Sequence, residues 1–240
     1  MPDLNLPANV KKDLDNFSKG LKDVYGPDLV SLIVYGSAAS GEFIDKRSNI
    51  NLLVLLKDAG LPNLKKSAKI IRKSGLIKAI FLTPDYIKAS SDVFPVEFLD
   101  MRENYTLVFG EDLLKELNID LRNLRFQCEQ EIKSKIITLK QAYLGLSQSK
   151  SALEELLFKS FNSSLHILRN VLRLKGKVPP YNKQEIINAL AQDYGISLSL
   201  WQEILSAKNK RIKLTSGKLE DLFFGFVKDL ERAAEIVDKA

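Results

Sequence analysis

The fold of this chain is decided by residues 35–56, which read YGSAASGEFIDKRSNINLLVLL. An apolar run rich in β-branched residues leads into this stretch at 29–35, and a second apolar run closes it at 50–56. Short, continuous apolar runs bounded by glycine and polar residues are typical of buried strands. The stretch therefore predicts two strands of one sheet, joined by a turn and a polar spacer.

Small and polar residues stand at the ends of these two strands. Gly36 and Ser37 follow the first strand, where glycine permits a sharp turn and a close backbone approach to a phosphate. The serine hydroxyl and the N–H groups of a helix start after it can donate to that phosphate. Asn49 and Asn51 open the second strand, and because strand side chains alternate, both lie on one face.

This arrangement resembles the signature of the nucleotidyltransferase superfamily, which includes polymerase beta and the kanamycin nucleotidyltransferases. The family pattern is a strand, Gly-Ser, a spacer, and then Asp-apolar-Asp/Glu at the head of the next strand. The resemblance implies an α+β fold with a mixed sheet and flanking helices, and nucleotide binding at Gly36, Ser37, Asn49 and Asn51. In the family the two acidic residues hold Mg²⁺ ions that clamp the triphosphate and activate the attacking hydroxyl.

The chain departs from the family at both acidic positions, because Asn49 and Asn51 are neutral and each offers one carbonyl oxygen. Mg²⁺ is usually bound through carboxylates and substrate phosphates. We therefore expect no metal site, no cofactor and no transfer activity, and at most binding of a nucleotide, a phosphate or a partner in a cleft between domains. The alternative is an active enzyme that uses Mg²⁺ to transfer a nucleoside monophosphate to a small-molecule or protein hydroxyl. A third reading is a scaffold that binds a partner and no nucleotide.

The family supplies a third carboxylate from a later strand of the sheet. Residues 96–101 are a strand candidate, in which Glu97 and Asp100 would fall on opposite faces. We take Glu97 as the catalytic candidate, and a solvated carboxylate is the alternative for both.

The pattern of the whole chain predicts two domains. Helical spacing at 10–24 and 64–73 alternates with strands, of which 77–82 and 106–109 are the remaining ones, so residues 1–118 are predicted as the nucleotidyltransferase-like domain. Residues 119–240 are predicted as an all-α helical bundle. Its helices are expected at 121–146, 150–175, 182–194, 198–208 and 217–238.

The second half resembles the helical domains that follow nucleotidyltransferase domains in kanamycin nucleotidyltransferase-like and HEPN-type proteins, and the resemblance rests on the stretch 165–180, LHILRNVLRLKGKVPP. The ribonucleases of the second group carry Arg followed by His, whereas the chain's one histidine, His166, precedes Arg169. Arg169 and Arg173 lie one helical turn apart and are candidates for contacting a phosphate. A solvated basic surface is the alternative.

Charge and composition limit the partners and the cellular compartment that we expect for this protein. The net charge is +6, and Lys and Arg outnumber Asp and Glu only in residues 121–240, by 20 to 13. This basic half can attract a nucleotide and gives weaker support to nucleic acid, and a solvated Lys-rich surface of a helical domain is the alternative. A protein partner or a homodimer is also compatible. With no apolar run of about 18 residues, no signal-peptide pattern at the start and one cysteine, the chain is expected to be a cytoplasmic prokaryotic protein without a membrane span.

Overall fold

The computed structural model describes residues 4–41, 43 and 48–239. It divides into two compact units, Met1–Ile119 and Asp120–Ala240. The predicted boundary between residues 118 and 119 differs from this division by one residue. Each unit is described by itself below.

The first unit contains a four-stranded mixed sheet, in the order β3-β2-β1-β4. Strand β1 pairs antiparallel with both β2 and β4, and β2 pairs parallel with β3. The predicted mixed sheet is thus confirmed. The strands are β1 (Leu29–Tyr35), β2 (Ile50–Leu56), β3 (Ile77–Leu82) and β4 (Tyr105–Gly110).

One face of this sheet is covered by the first helix, α1 (Ala8–Tyr25). The helix buries an apolar stripe at three- and four-residue spacing, which includes Leu14, Phe17 and Leu21. That stripe packs against the alternate residues of β2, among them Leu52 and Val54. The alternation of strand side chains therefore assigns Asn51 to the opposite face of the sheet.

Short helices connect the strands of the first unit. They are α2 (Ser37–Ser40), α3 (Leu61–Leu64), α4 (Ala68–Lys73), α5 (Pro84–Ser90) and α6 (Pro95–Glu103). The strand predicted at 96–101 is wrong, since these residues belong to α6. Pro95 occupies the first turn of that helix, where its fixed φ fits and its missing N–H costs nothing. Phe98 and Leu99 are both buried, which adjacent residues on a one-sided strand would not be.

The second unit is helical, as predicted. Its helices are α7 (Leu121–Leu146), α8 (Lys150–Val171), α9 (Lys183–Tyr194), α10 (Leu198–Lys208) and α11 (Ser216–Asp238). Side-chain caps start four of them, with Asp120, Ser149, Asn182 and Thr215 accepting hydrogen bonds from backbone N–H groups of the first turn. No helix within the described residues is long and apolar enough to cross a membrane.

The core of the second unit is organised around Trp201. Its ring lies 5.4 Å from the ring of Phe161 and 5.1 Å from that of Phe226, measured between centroids. The indole Nε1 donates to Oδ2 of Asp229 at 2.9 Å, and the same oxygen accepts from the backbone N–H of Ser197 at 2.8 Å. The buried carboxylate thus ties α11 to the start of α10.

Candidate functional site

The turn after β1 is built on Gly36. Its φ of +73° is one that L side chains rarely adopt, so glycine is required for the chain to leave the strand in this direction. The N–H of Gly36 donates to the carbonyl of Asn104 at 2.9 Å, and its own carbonyl accepts from Ala39 and Ser40. The turn is therefore fixed against both the sheet and the short helix that follows.

That helix, α2, has only four residues, Ser37–Ser40. A helix dipole is the sum of many aligned peptide units, so one turn contributes little of it. The expected anion-attracting helix start is therefore weak here. Ser37 is half-buried, and within the described residues its hydroxyl makes no hydrogen bond.

Asn51 lies directly against the Gly36 turn. A Cβ atom built on Gly36 would stand 3.3 Å from the side-chain nitrogen Nδ2 of Asn51. Asn51 is half-buried inside β2, and Asn49, just before the strand, is exposed. The structure thus brings Gly36 and Asn51 together.

Asn51 belongs to a line of four polar residues that crosses the sheet, which we name the polar row. Tyr105 of β4 is the register partner of Tyr35 in β1, Tyr35 is the partner of Asn51 in β2, and Asn51 is the partner of Lys78 in β3. Register partners point to the same face of a sheet. Two phenols, one amide and one ammonium therefore share a face next to the Gly36 turn.

The two phenols of the polar row are neutral at physiological pH. Burial raises the pKa of Tyr35 above its usual value. Burial, reinforced by the hydrogen bond from the Tyr105 hydroxyl to Oδ2 of Asp112 at 2.8 Å, raises the pKa of Tyr105 to about 12. The ammonium of Lys78 is then the one charge in the polar row.

This set of side chains does not fit a catalytic pair of Mg²⁺ ions. Hard divalent cations take carboxylate and other oxygen ligands, whereas Asn49 and Asn51 are amides and Lys78 has only donors. In the part of the chain that the structure describes, no group of three or more His, Cys, Asp and Glu side chains is arranged to hold a metal.

Glu97, the predicted catalytic carboxylate, is exposed in the first turn of α6. Because both Glu97 and Asp100 lie in α6, the alternation of faces along a strand does not distinguish them. Its catalytic role stays a prediction.

The predicted phosphate contacts Arg169 and Arg173 are buried in the second unit, with 5% and 6% of their surface exposed. The guanidinium of Arg169 donates from Nε to the carbonyl of Pro180 at 2.9 Å and from Nη2 to that of Pro179 at 3.1 Å, and it lies over the ring of Tyr181. Phosphate binding by these arginines stays a prediction, and their burial works against it.

Comparison with solved structures assigns the chain a nucleotidyltransferase-like fold, as the resemblance implied. The chain is similar to the crystal structure of spectinomycin adenyltransferase AAD(9) from Enterococcus faecialis with ATP and spectinomycin, with a TM-score of 0.59 and 16% sequence identity. The match covers 92% of this chain and 99% of that one.

A second similar structure is a nucleotidyltransferase-like protein from Exiguobacterium sibiricum, with a TM-score of 0.45 and 15% identity, covering 92% of this chain and 74% of that one. No protein-family model matches the sequence, and no curated protein matches it.

Sequence reasoning overlooked Lys78. The run 77–82 predicts a strand, and the lysine in its second position interrupts the apolar pattern. That interruption is the sequence signal that could identify Lys78 as a site residue. Its meaning depends on the parallel register of β2 and β3, which places Lys78 beside Asn51.

Proposed function

We propose that this protein binds a nucleotide or a related phosphate-bearing molecule at the Gly36 turn of the first unit and does not transfer a nucleoside monophosphate. The observation that carries the proposal is a nucleotidyltransferase-like fold that keeps the glycine turn beside Asn51 but has amides at both acidic positions of the family motif. Ser37 and Asn49 complete the binding residues. The ATP in the structure of spectinomycin adenyltransferase supports a nucleotide as the ligand class.

The absence of transfer follows from charge. Phosphoryl and nucleotidyl transfer depend on electrostatic stabilisation of a highly charged transition state, which metal ions supply in the family. Neutral Asn49 and Asn51 hold no such ions, whereas amide groups can still donate hydrogen bonds to a bound phosphate or base. Binding without turnover is the chemistry that these residues support.

The test is calorimetric titration of the full chain with ATP and GTP, in parallel with an assay for pyrophosphate release in the presence of Mg²⁺. We expect binding of at least one nucleotide and no release. Ser37→Ala should weaken binding about threefold to tenfold, the usual worth of one hydrogen bond. Ser91→Ala, whose hydroxyl donates to the Lys88 carbonyl at the end of α5, is the matched control.

Two results would overturn the proposal in different directions. Mg²⁺-dependent pyrophosphate release that Asn49→Ala abolishes would establish the active transferase, with transfer to a small-molecule or protein hydroxyl. No binding of either nucleotide at millimolar concentration would favour the partner-binding scaffold. Sedimentation of the purified chain would then distinguish a homodimer from a protein that needs a different partner.

A further inference from the structure

We propose that the ammonium of Lys78 takes the place of a metal ion in the phosphate site, so that this site binds its anionic ligand without a divalent cation. The inference rests on the proposed function, and it identifies the positive group that would contact the phosphate of the ligand. It concerns a residue that the family motif does not contain.

Register places Lys78 at the site. In the parallel pairing of β2 and β3, Ile50 faces Ile77 and Asn51 faces Lys78. Adjacent strands lie about 4.8 Å apart, and a lysine side chain reaches about 6 Å from its Cα, so the ammonium can extend across Asn51. Because Asn51 borders the Gly36 turn, a phosphate held at that turn lies within reach of Lys78.

The alternation of buried and exposed residues in β3 shows that Lys78 points away from the core between the sheet and α1. Its neighbour Ile77 is 3% exposed and belongs to the core that α1 covers, whereas Lys78 is exposed. Strand alternation therefore sets the ammonium on the face of the polar row. No ion pair joins Lys78 to another residue within the described part of the chain.

The charge of the polar row is consequently the reverse of that of the carboxylates in a metal-dependent transferase. There, carboxylates recruit cations, and the cations recruit phosphate. Here the two phenols and the amide of the polar row are neutral, so Lys78 is the one fixed charge among its four residues, and this charge attracts phosphate directly and repels Mg²⁺. Asp112, the carboxylate bonded to the row, contacts Tyr105 on β4, at the opposite edge of the sheet from Lys78.

A competing explanation is that Lys78 protects an edge strand. β3 lies at the edge of the sheet, and lysines on such strands discourage pairing with other chains. The two explanations differ in their consequences, since an edge lysine contributes to solubility and not to the affinity for a phosphate.

The experiment is calorimetric titration of the full chain with ATP and with inorganic tripolyphosphate, in EDTA and again in Mg²⁺. The variants are Lys78→Met, which removes the charge and keeps the apolar stem, and Lys78→Arg, which keeps the charge. Lys69→Met is the matched control, because Lys69 is exposed on α4, whose neighbour Ile70 packs near Gly20 of α1 on the other face of the sheet. Circular dichroism and thermal midpoints establish that each variant is folded.

We expect wild type, Lys78→Arg and Lys69→Met to bind in EDTA, and Lys78→Met to bind about tenfold more weakly or worse, as for loss of a charge-assisted hydrogen bond. Increasing salt should weaken binding to the wild type more than to Lys78→Met. Two results would overturn the role of Lys78 and leave the proposed function standing. One is that Lys78→Met binds the ligand with an affinity within twofold of that of Lys69→Met. The other is that the wild type binds the ligand only when Mg²⁺ is present. No binding by wild type in either condition would overturn both.

Discussion

The side-chain nitrogen of Asn51 stands 3.3 Å from the position that a Cβ atom on Gly36 would occupy. The amide of the second asparagine of the motif thus fills the space beside the glycine that a side chain would need, although 15 positions separate the two residues in the sequence. A side chain at position 36 would therefore require the amide of Asn51 to shift by a few tenths of an ångström.

Gly36→Ala should destabilise the protein and weaken nucleotide binding together. A φ of +73° with a ψ of −146° strains an L side chain by about 1–3 kcal/mol, and the added methyl also pushes against Asn51. We expect the free energy of unfolding to fall by about that amount in urea titrations. The calorimetric affinity for nucleotide should fall as well, because the amide must move.

Gly145→Ala is the control for this substitution. Gly145 lies in α7 with ordinary helical φ, and a Cβ added there would meet nothing within 4 Å. Alanine is the better helix former, so this variant should gain up to about 1 kcal/mol. Equal effects at the two glycines would contradict the strained geometry of the Gly36 turn.

Arg169→Met should cost stability and leave nucleotide affinity unchanged. Its guanidinium satisfies the carbonyls of Pro179 and Pro180 from a buried position, so its loss leaves two acceptors without their partner. We expect a loss of about 2–4 kcal/mol in the free energy of unfolding. Lys140→Met, which breaks an exposed ion pair to Glu231, should cost less than about 1 kcal/mol.

The opposite result would support the predicted phosphate contact of Arg169. If Arg169→Met is as stable as the wild type but binds nucleotide about tenfold more weakly, hydrogen bonding to the carbonyls of Pro179 and Pro180 does not explain the loss of affinity. Thermal midpoints recorded with and without ATP separate these two outcomes.

Tyr105 should contribute a loss of stability at alkaline pH. Because burial and the Asp112 hydrogen bond raise its pKa to about 12 in the folded state, the folded protein holds this proton more tightly than the unfolded chain does. The stabilisation is complete below the unfolded pKa of about 10 and disappears as the pH rises from about 10 to 12. Urea midpoints over this range should fall more steeply for wild type than for Tyr105→Phe, and parallel slopes would contradict the prediction.

Strand positions were predictable from the sequence, but relationships between strands were not. The runs at 29–35, 50–56 and 77–82 coincide with β1, β2 and β3 because each is a continuous apolar segment between breaking residues. The strand predicted at 96–101 is wrong because short apolar segments suit a helix as well as a strand, and Pro95 is a helix-start signal.

The residues of the candidate site also differ in how far the sequence predicts them. Gly36 and the asparagines were found from local spacing, because a turn and a strand start are local structures. Lys78 was missed because its significance lies in the register of β3 against β2, which depends on tertiary packing. The burial of Arg169 was missed for a related reason, since only the fold shows which carbonyls lie beside it.

The final prediction combines the motif with Lys78. If the ammonium opposes metal binding, Asn49→Asp with Asn51→Asp should gain only weak affinity for Mg²⁺ or Mn²⁺, and adding Lys78→Glu should tighten it about tenfold or more. The matched control replaces Lys78→Glu by Lys69→Glu, which gives the same net charge on a helix of the opposite face. Calorimetry and Mn²⁺ electron paramagnetic resonance measure the affinities. Equal binding by the two triple variants would show that net charge and not the position of Lys78 controls the metal, whereas a gain confined to Lys78→Glu places the ammonium where the ion would sit.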